Sequence, residues 1–192
     1  MHRVATPIFA AGLIIVGLTG ILVTAALVQP VVPVGMVPAS GMDAMFIEQM
    51  IPHHDDAIEM ADLALTRAEH PEISQLAADI KRTQTAENAQ MRTWYREWFG
   101  TPVPDVGDSS SMMGGMMGSG VTDMADLEAA EPFDKAFIEA MIPHHQTAIM
   151  MSQMAGSASG RPEMRDLTSS IIDAQSAEIE KMQAWYDEWY GR

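Results

Sequence analysis

Cysteine is absent from all 192 residues of the chain. Disulfides, thiolate zinc sites and thiol catalysis are excluded with it. Basic residues are scarce: 11 Lys and Arg stand against 26 Asp and Glu, for a formal charge of −15. So acidic a chain argues against nucleic acid as a partner, because phosphates demand Lys and Arg. The same charge favours solubility and attracts cations. No stretch alternates apolar and polar residues as a half-buried strand does. The sequence reads as all helix.

What is plentiful is methionine, with 18 residues. Thioether is the only sulfur available. A Met-rich chain without Cys fits an oxidising, extracytoplasmic setting, where thioethers hold Cu(I) or Ag(I) and no disulfide can form. After Met1-His2-Arg3, residues 8–28 carry no charge. That run of about 21 residues is long enough to span a bilayer as a helix and longer than a usual signal-peptide core. Thr24-Ala25-Ala26 offers small residues for cleavage but no clean Ala-x-Ala. With Arg3 the only nearby side-chain cation, the N-terminus stays cytoplasmic and the rest is exported. Residues 1–28 are therefore expected to be a signal anchor or signal peptide. The domain beyond is expected to be extracytoplasmic, held at the membrane by that helix or secreted after cleavage. Residues 29–41, with Pro30, Pro33 and Pro38, read as an extended tether.

The rest of the chain says one unusual thing twice. Phe46-Ile47-Glu48-Gln49-Met50-Ile51-Pro52-His53-His54 returns as Phe137-Ile138-Glu139-Ala140-Met141-Ile142-Pro143-His144-His145. The match runs without a gap to Gly100 and Gly191, at a constant offset of about 91 residues, with roughly 25 of about 55 positions identical. Each copy predicts a helical hairpin. In the first, one helix runs from about Asp43 to Ala68 and the next starts at Pro71 and stops at Gly100. In the second, Pro132 and Pro162 are the start signals and Gly191 the stop. The fold expected for residues 42–192 is an up-down-up-down four-helix bundle: repeat one at 42–100, a loop at 101–122, repeat two at 132–191. That loop carries Met112-Met113-Gly114-Gly115-Met116-Met117 and is longer than a helix pair needs.

Helical periodicity places Phe46, Met50, His53, Ala57, Met60 and Ala64 on one stripe, and Ile80, Gln84, Glu87, Met91 and Trp94 on a stripe of the partner helix. Adjacent His on an apolar face, opposite Gln and Glu on another, need partners or a metal. Residues equidistant from a hairpin turn sit at one height. With the turn near His70, His53 lies about 17 residues before it and Glu87 about 17 after; Met50 and Met91 are about 20 and 21 away. His144, His145, Glu178, Met141 and Met182 repeat the arrangement. Met60 and Met151 lie about 10 Å further along their helices, where they line a path or a second site, or simply pack. Glu87 and Glu178 are either ligands or acceptors that orient an imidazole. Pro52 and Pro143 predict a kink that frees the carbonyl of Glu48 or Glu139, or else a helix restart. The paired runs Trp94-Tyr95-x-Glu97-Trp98 and Trp185-Tyr186-x-Glu188-Trp189 read as core closure near the helix ends.

Imidazole with thioether suits copper, and the expected activity is sequestration, delivery or resistance through His/Met sites rather than catalysis. Iron or manganese is the alternative, in a ferritin-like di-metal oxidase with Glu87 and Glu178 as carboxylates. That site wants Glu three residues before His, and Met50, Ile51, Met141 and Ile142 stand there instead. A metal-free bundle with His–Glu hydrogen bonds is the third reading. The partners expected are metal ions and the membrane; no protein partner is specified.

The run Met-Ile-Pro-His-His-x-x-Ala-Ile-x-Met, present at Met50 to Met60 and again at Met141 to Met151, resembles the signature of domain of unknown function 305. The resemblance covers Met42 to the C-terminus. It implies a ferritin-like four-helix bundle built from a duplicated hairpin, export, and for some members copper binding or copper resistance. It also implies that His53, His54, Met60, His144, His145 and Met151 are the motif residues.

Overall fold

The computed structural model describes residues 39–104 and 123–191. The anchor or signal segment, the tether up to Pro38 and the Met112–Met117 cluster lie outside the described residues. The elements are α1 (Ala39–Arg67), α2 (Pro71–Phe99), α3 (Met124–Ala129), α4 (Phe133–Ala158) and α5 (Pro162–Tyr190). α1 begins before the expected Asp43, so residues 39–41 belong to the helix and not to the tether.

Local chemistry accounts for most of these boundaries. Pro71 and Pro162 open α2 and α5, where a missing N–H costs nothing. Gly100 ends α2 in the left-handed region at φ 74°, its N–H bonded to the Arg96 carbonyl. Gly191 closes α5 differently, with φ −71° and its N–H shared between the Tyr186 and Asp187 carbonyls. Pro52 and Pro143 lie inside unbroken helices, so neither helix restarts there. The sequence signals did not mark α3. It is a single short turn-and-a-half whose Asp123 side chain caps the Ala125 N–H and whose Leu127 is buried.

α1 packs on α2 and α4 on α5, as two hairpins, and the hairpins meet through α1 and α4. Their relative direction corrects the expected topology. Asp134, at the start of α4 and 1% exposed, accepts the backbone N–H groups of Glu69 and His70 and lies 2.7 Å from His70 Nδ1, just beyond the end of α1. Trp189 stacks on that imidazole at 3.7 Å. At the opposite end Asp43, near the start of α1, pairs with Arg161 Nε at 3.3 Å, just beyond the end of α4. The Arg161 guanidinium lies 4.3 Å over the Trp98 ring. These two locks are counterparts under the repeat offset, with Arg161 in the place of His70.

α1 and α4 therefore run antiparallel, and the order is up-down-down-up, not up-down-up-down. The physical reason lies in the connection. α2 finishes at the end of the bundle where α1 begins, whereas α4 starts at the other end. A 29-residue helix is about 43 Å long, and the roughly 32 residues between Gly100 and Phe133 reach that distance with ease. The loop that is too long for a hairpin has the length a crossing requires.

Asp134 is the residue on which one lock turns. Asp134→Ala leaves two backbone donors and an imidazole nitrogen without their acceptor, and we expect it to lower the unfolding free energy by about 3 kcal/mol. Urea denaturation measures this; a loss below about 1 kcal/mol would mean that the lock contributes little.

Candidate metal centre

Two hairpins related head to tail bring residues near their common axis against their own counterparts. His53 and His144 meet this way, with ring centroids 3.7 Å apart and planes tilted by 42°. Successive helical residues point about 100° apart, so the second imidazole of each pair turns away, toward its own hairpin partner. His54 Nε2 lies 2.8 Å from Glu87 Oε2, and His145 Nε2 lies 2.7 Å from Glu178 Oε2. The levelling of histidine with glutamate expected from the turn is seen. It is His54, not His53, that reaches Glu87.

This layer is rich in unused donors and acceptors. Nδ1 of His53, His54 and His145, and both ring nitrogens of His144, are buried without a hydrogen-bond partner. Orphaned polar atoms of that kind are costly in a native core. His54 and His145 are 0% exposed. Burial, reinforced by the neighbouring imidazoles, pushes His53 down to about 3 and His144 to about 2. Both rings are thus neutral, the form that ligates a metal.

A pH dependence follows for the metal-free chain. Below the ordinary histidine value of 6.5, an unfolded chain takes up protons that the folded one refuses. Stability then falls with falling pH, by about 1.4 kcal/mol per pH unit for each ring until the folded values are reached. Between pH 7 and pH 5 the two rings together should cost about 4 kcal/mol. Urea denaturation at the two pH values tests this. His53→Leu with His144→Leu should remove that share of the loss, and an unaltered slope would assign it to other groups.

The methionines, of which Met50, Met91, Met141 and Met182 are the ones expected near the imidazole level, divide between two buried core clusters. Met60, Met141 and Met182 belong to one buried core cluster, with Ile73, Phe133 and Phe137. Met50 and Met91 belong to the other, with Met164 and Ile171, and Met151 packs against it. Each set mixes the two repeats, because head-to-tail packing lays the open end of one hairpin against the turn of the other. Among the described residues, no three or more His, Asp or Glu side chains are gathered as a ready ligand set.

The aromatic runs close the ends as expected: Trp94 stacks on Trp98 at 5.2 Å and Trp185 on Trp189 at 5.7 Å. Their tyrosines do something more. Tyr95 donates its hydroxyl to the Glu48 carboxylate, and Tyr186 donates to Glu139 at 2.6 Å. The hydrogen bond to Glu48, with burial, pushes the Tyr95 phenol up to about 12. The recurrence of Glu48 and Tyr95 as Glu139 and Tyr186 was the available signal for these pairs. Likewise, the shared offset of Asp43 and Asp134 was the signal for the locks.

Comparison with known proteins places this arrangement. CopM in its Cu(I)-bound form is 46% identical, with a TM-score of 0.69 over 78% of this chain and 98% of that one. CopM also has Cu(II)-bound, Ag-bound and apo structures of similar likeness. A DUF305 fragment from Deinococcus radiodurans is 29% identical, with a TM-score of 0.68 over 79% of this chain and 99% of that one. An uncharacterized protein of Acanthamoeba polyphaga mimivirus is 38% identical over 55 residues, 29% of this chain. That match spans only 36% of the viral protein. The family described as Domain of unknown function (DUF305) matches residues 43–186, and the chain belongs to it.

Proposed function

We propose that this chain is a copper-binding protein whose cargo is held at the His53–His144 layer, for sequestration or delivery outside the cytoplasm. The observation that carries the reading is the cross-repeat imidazole pair, whose rings meet at 3.7 Å with ring nitrogens buried and unpartnered. Cu(I), Cu(II) and silver are bound by CopM, 46% identical to this chain, and a neutral imidazole flanked by thioethers is the donor set those ions prefer.

Each residue has a part in this reading. His53 and His144 are the central donors, shared between the repeats. His54 and His145 stand behind them, with Glu87 and Glu178 accepting their Nε2 protons and fixing each ring. Met50, Met91 and Met151 of one cluster, and Met60, Met141 and Met182 of the other, are the thioethers available to complete coordination. The framework is a ferritin-like bundle without the carboxylate-rich centre that an iron or manganese oxidase needs. Residues 1–28 anchor or export it, residues 29–38 act as a tether, and the Met112–Met117 cluster captures ions for transfer inward.

Anaerobic competition titration tests the metal choice. Silver or Cu(I) bound to the chain is expected to withstand a hundredfold excess of Fe(II), by the softness of its donors. Displacement of silver by Fe(II) would overturn the copper reading and restore the oxidase.

A further inference from the structure

The seam between α2 and α5, across the bundle from the His53–His144 contact, holds a crevice of different chemistry. Gln84, Glu87, Gln175 and Glu178 line it, with Ile80 and Ile171 among its walls. All six are counterparts under the repeat offset, so the axis that brings His53 against His144 also runs here. Gln84 and Gln175 are 3% and 4% exposed, and the carboxamide oxygen of each is buried without a partner. Each glutamate spends Oε2 on its imidazole, which leaves Oε1. The four residues that carry these free oxygen acceptors therefore border one free space of about 10 Å³, room for a single water-sized species.

The nature of that species follows from counting. A water molecule brings two hydrogens and can satisfy at most two of four acceptors. A cation satisfies all four, and it also offsets the repulsion of two carboxylates whose side chains are only 13% and 15% exposed. The walls supply carboxylate and carboxamide oxygen with no thioether, which suits hard ions and not Cu(I).

We infer that this crevice is a second site, for one hard divalent cation of the Mn(II) or Ca(II) kind, separate from the imidazole and thioether region. The inference does not depend on the copper reading, because the two sites differ in donors and are read by different ions.

Manganese is the probe, since Mn(II) loses its sharp solution EPR signal on binding. The full-length, metal-free chain is titrated with Mn(II), and silver stoichiometry is measured in parallel. One equivalent of Mn(II) should bind. Gln84→Leu with Gln175→Leu should weaken it at least tenfold while silver stoichiometry holds. Gln84→Glu with Gln175→Glu should tighten it at least tenfold, and decides alone should the leucine pair fail to fold. No uptake by the unaltered chain would mean that the crevice holds water only. Uptake unchanged by either pair would place Mn(II) on the acidic surface. Either result overturns the inference.

Discussion

Replacing His53 alone with alanine is expected to abolish tight silver or Cu(I) binding by the whole chain, not half of it. Two independent sites, one per repeat, would lose half their capacity. A shared site loses everything, because His53 and His144 face each other at 3.7 Å across the hairpin seam. The affinity lost should be about a hundredfold or more, since even groups that merely orient a ligand are worth about 10- to 100-fold. The fold should survive, because the substitution removes a half-buried imidazole whose Nδ1 has no partner. Calorimetric titration gives both stoichiometry and affinity. Retention of half the bound silver would establish one site per repeat and sink the shared layer.

The second large effect is expected at Glu87. His54 is fully buried, its Nδ1 is already unpartnered, and Glu87 supplies the acceptor for Nε2. Glu87→Ala leaves the whole imidazole without a hydrogen bond in the core, at a cost of about 3 kcal/mol in stability. It also frees the ring to rotate, which should weaken copper binding about 10- to 100-fold. Glu87→Gln keeps an oxygen acceptor at the same reach and should restore most of the stability. Denaturation with and without silver separates the two contributions. Equal stability of the alanine and glutamine variants would mean that His54 does not rely on this bond.

The helices and their pairing into hairpins were legible without coordinates. Pro71, Pro162 and Gly100 act through backbone geometry that depends only on neighbouring residues, so they mark boundaries in any context. The levelling of histidine with glutamate was legible for the same reason: helical rise and a short turn determine it. Which histidine reaches the glutamate was not legible, because a shift of one residue turns a side chain by about 100°.

The sequence by itself determined that the chain is helical and duplicated, without cysteine, and furnished with histidine, methionine and glutamate at matching heights in each repeat. These are properties of local conformation and of composition. Only the tertiary structure decided that the hairpins lie head to tail, which sets His53 against His144 and Gln84 near Gln175. It also decided that the motif methionines divide into two mixed sets and that Asp43 and Asp134 lock the ends. The direction of one hairpin relative to another depends on side chains far apart in the chain meeting favourably. Here that means a buried carboxylate finding the turn of the other repeat, and no periodicity within a single helix carries that information.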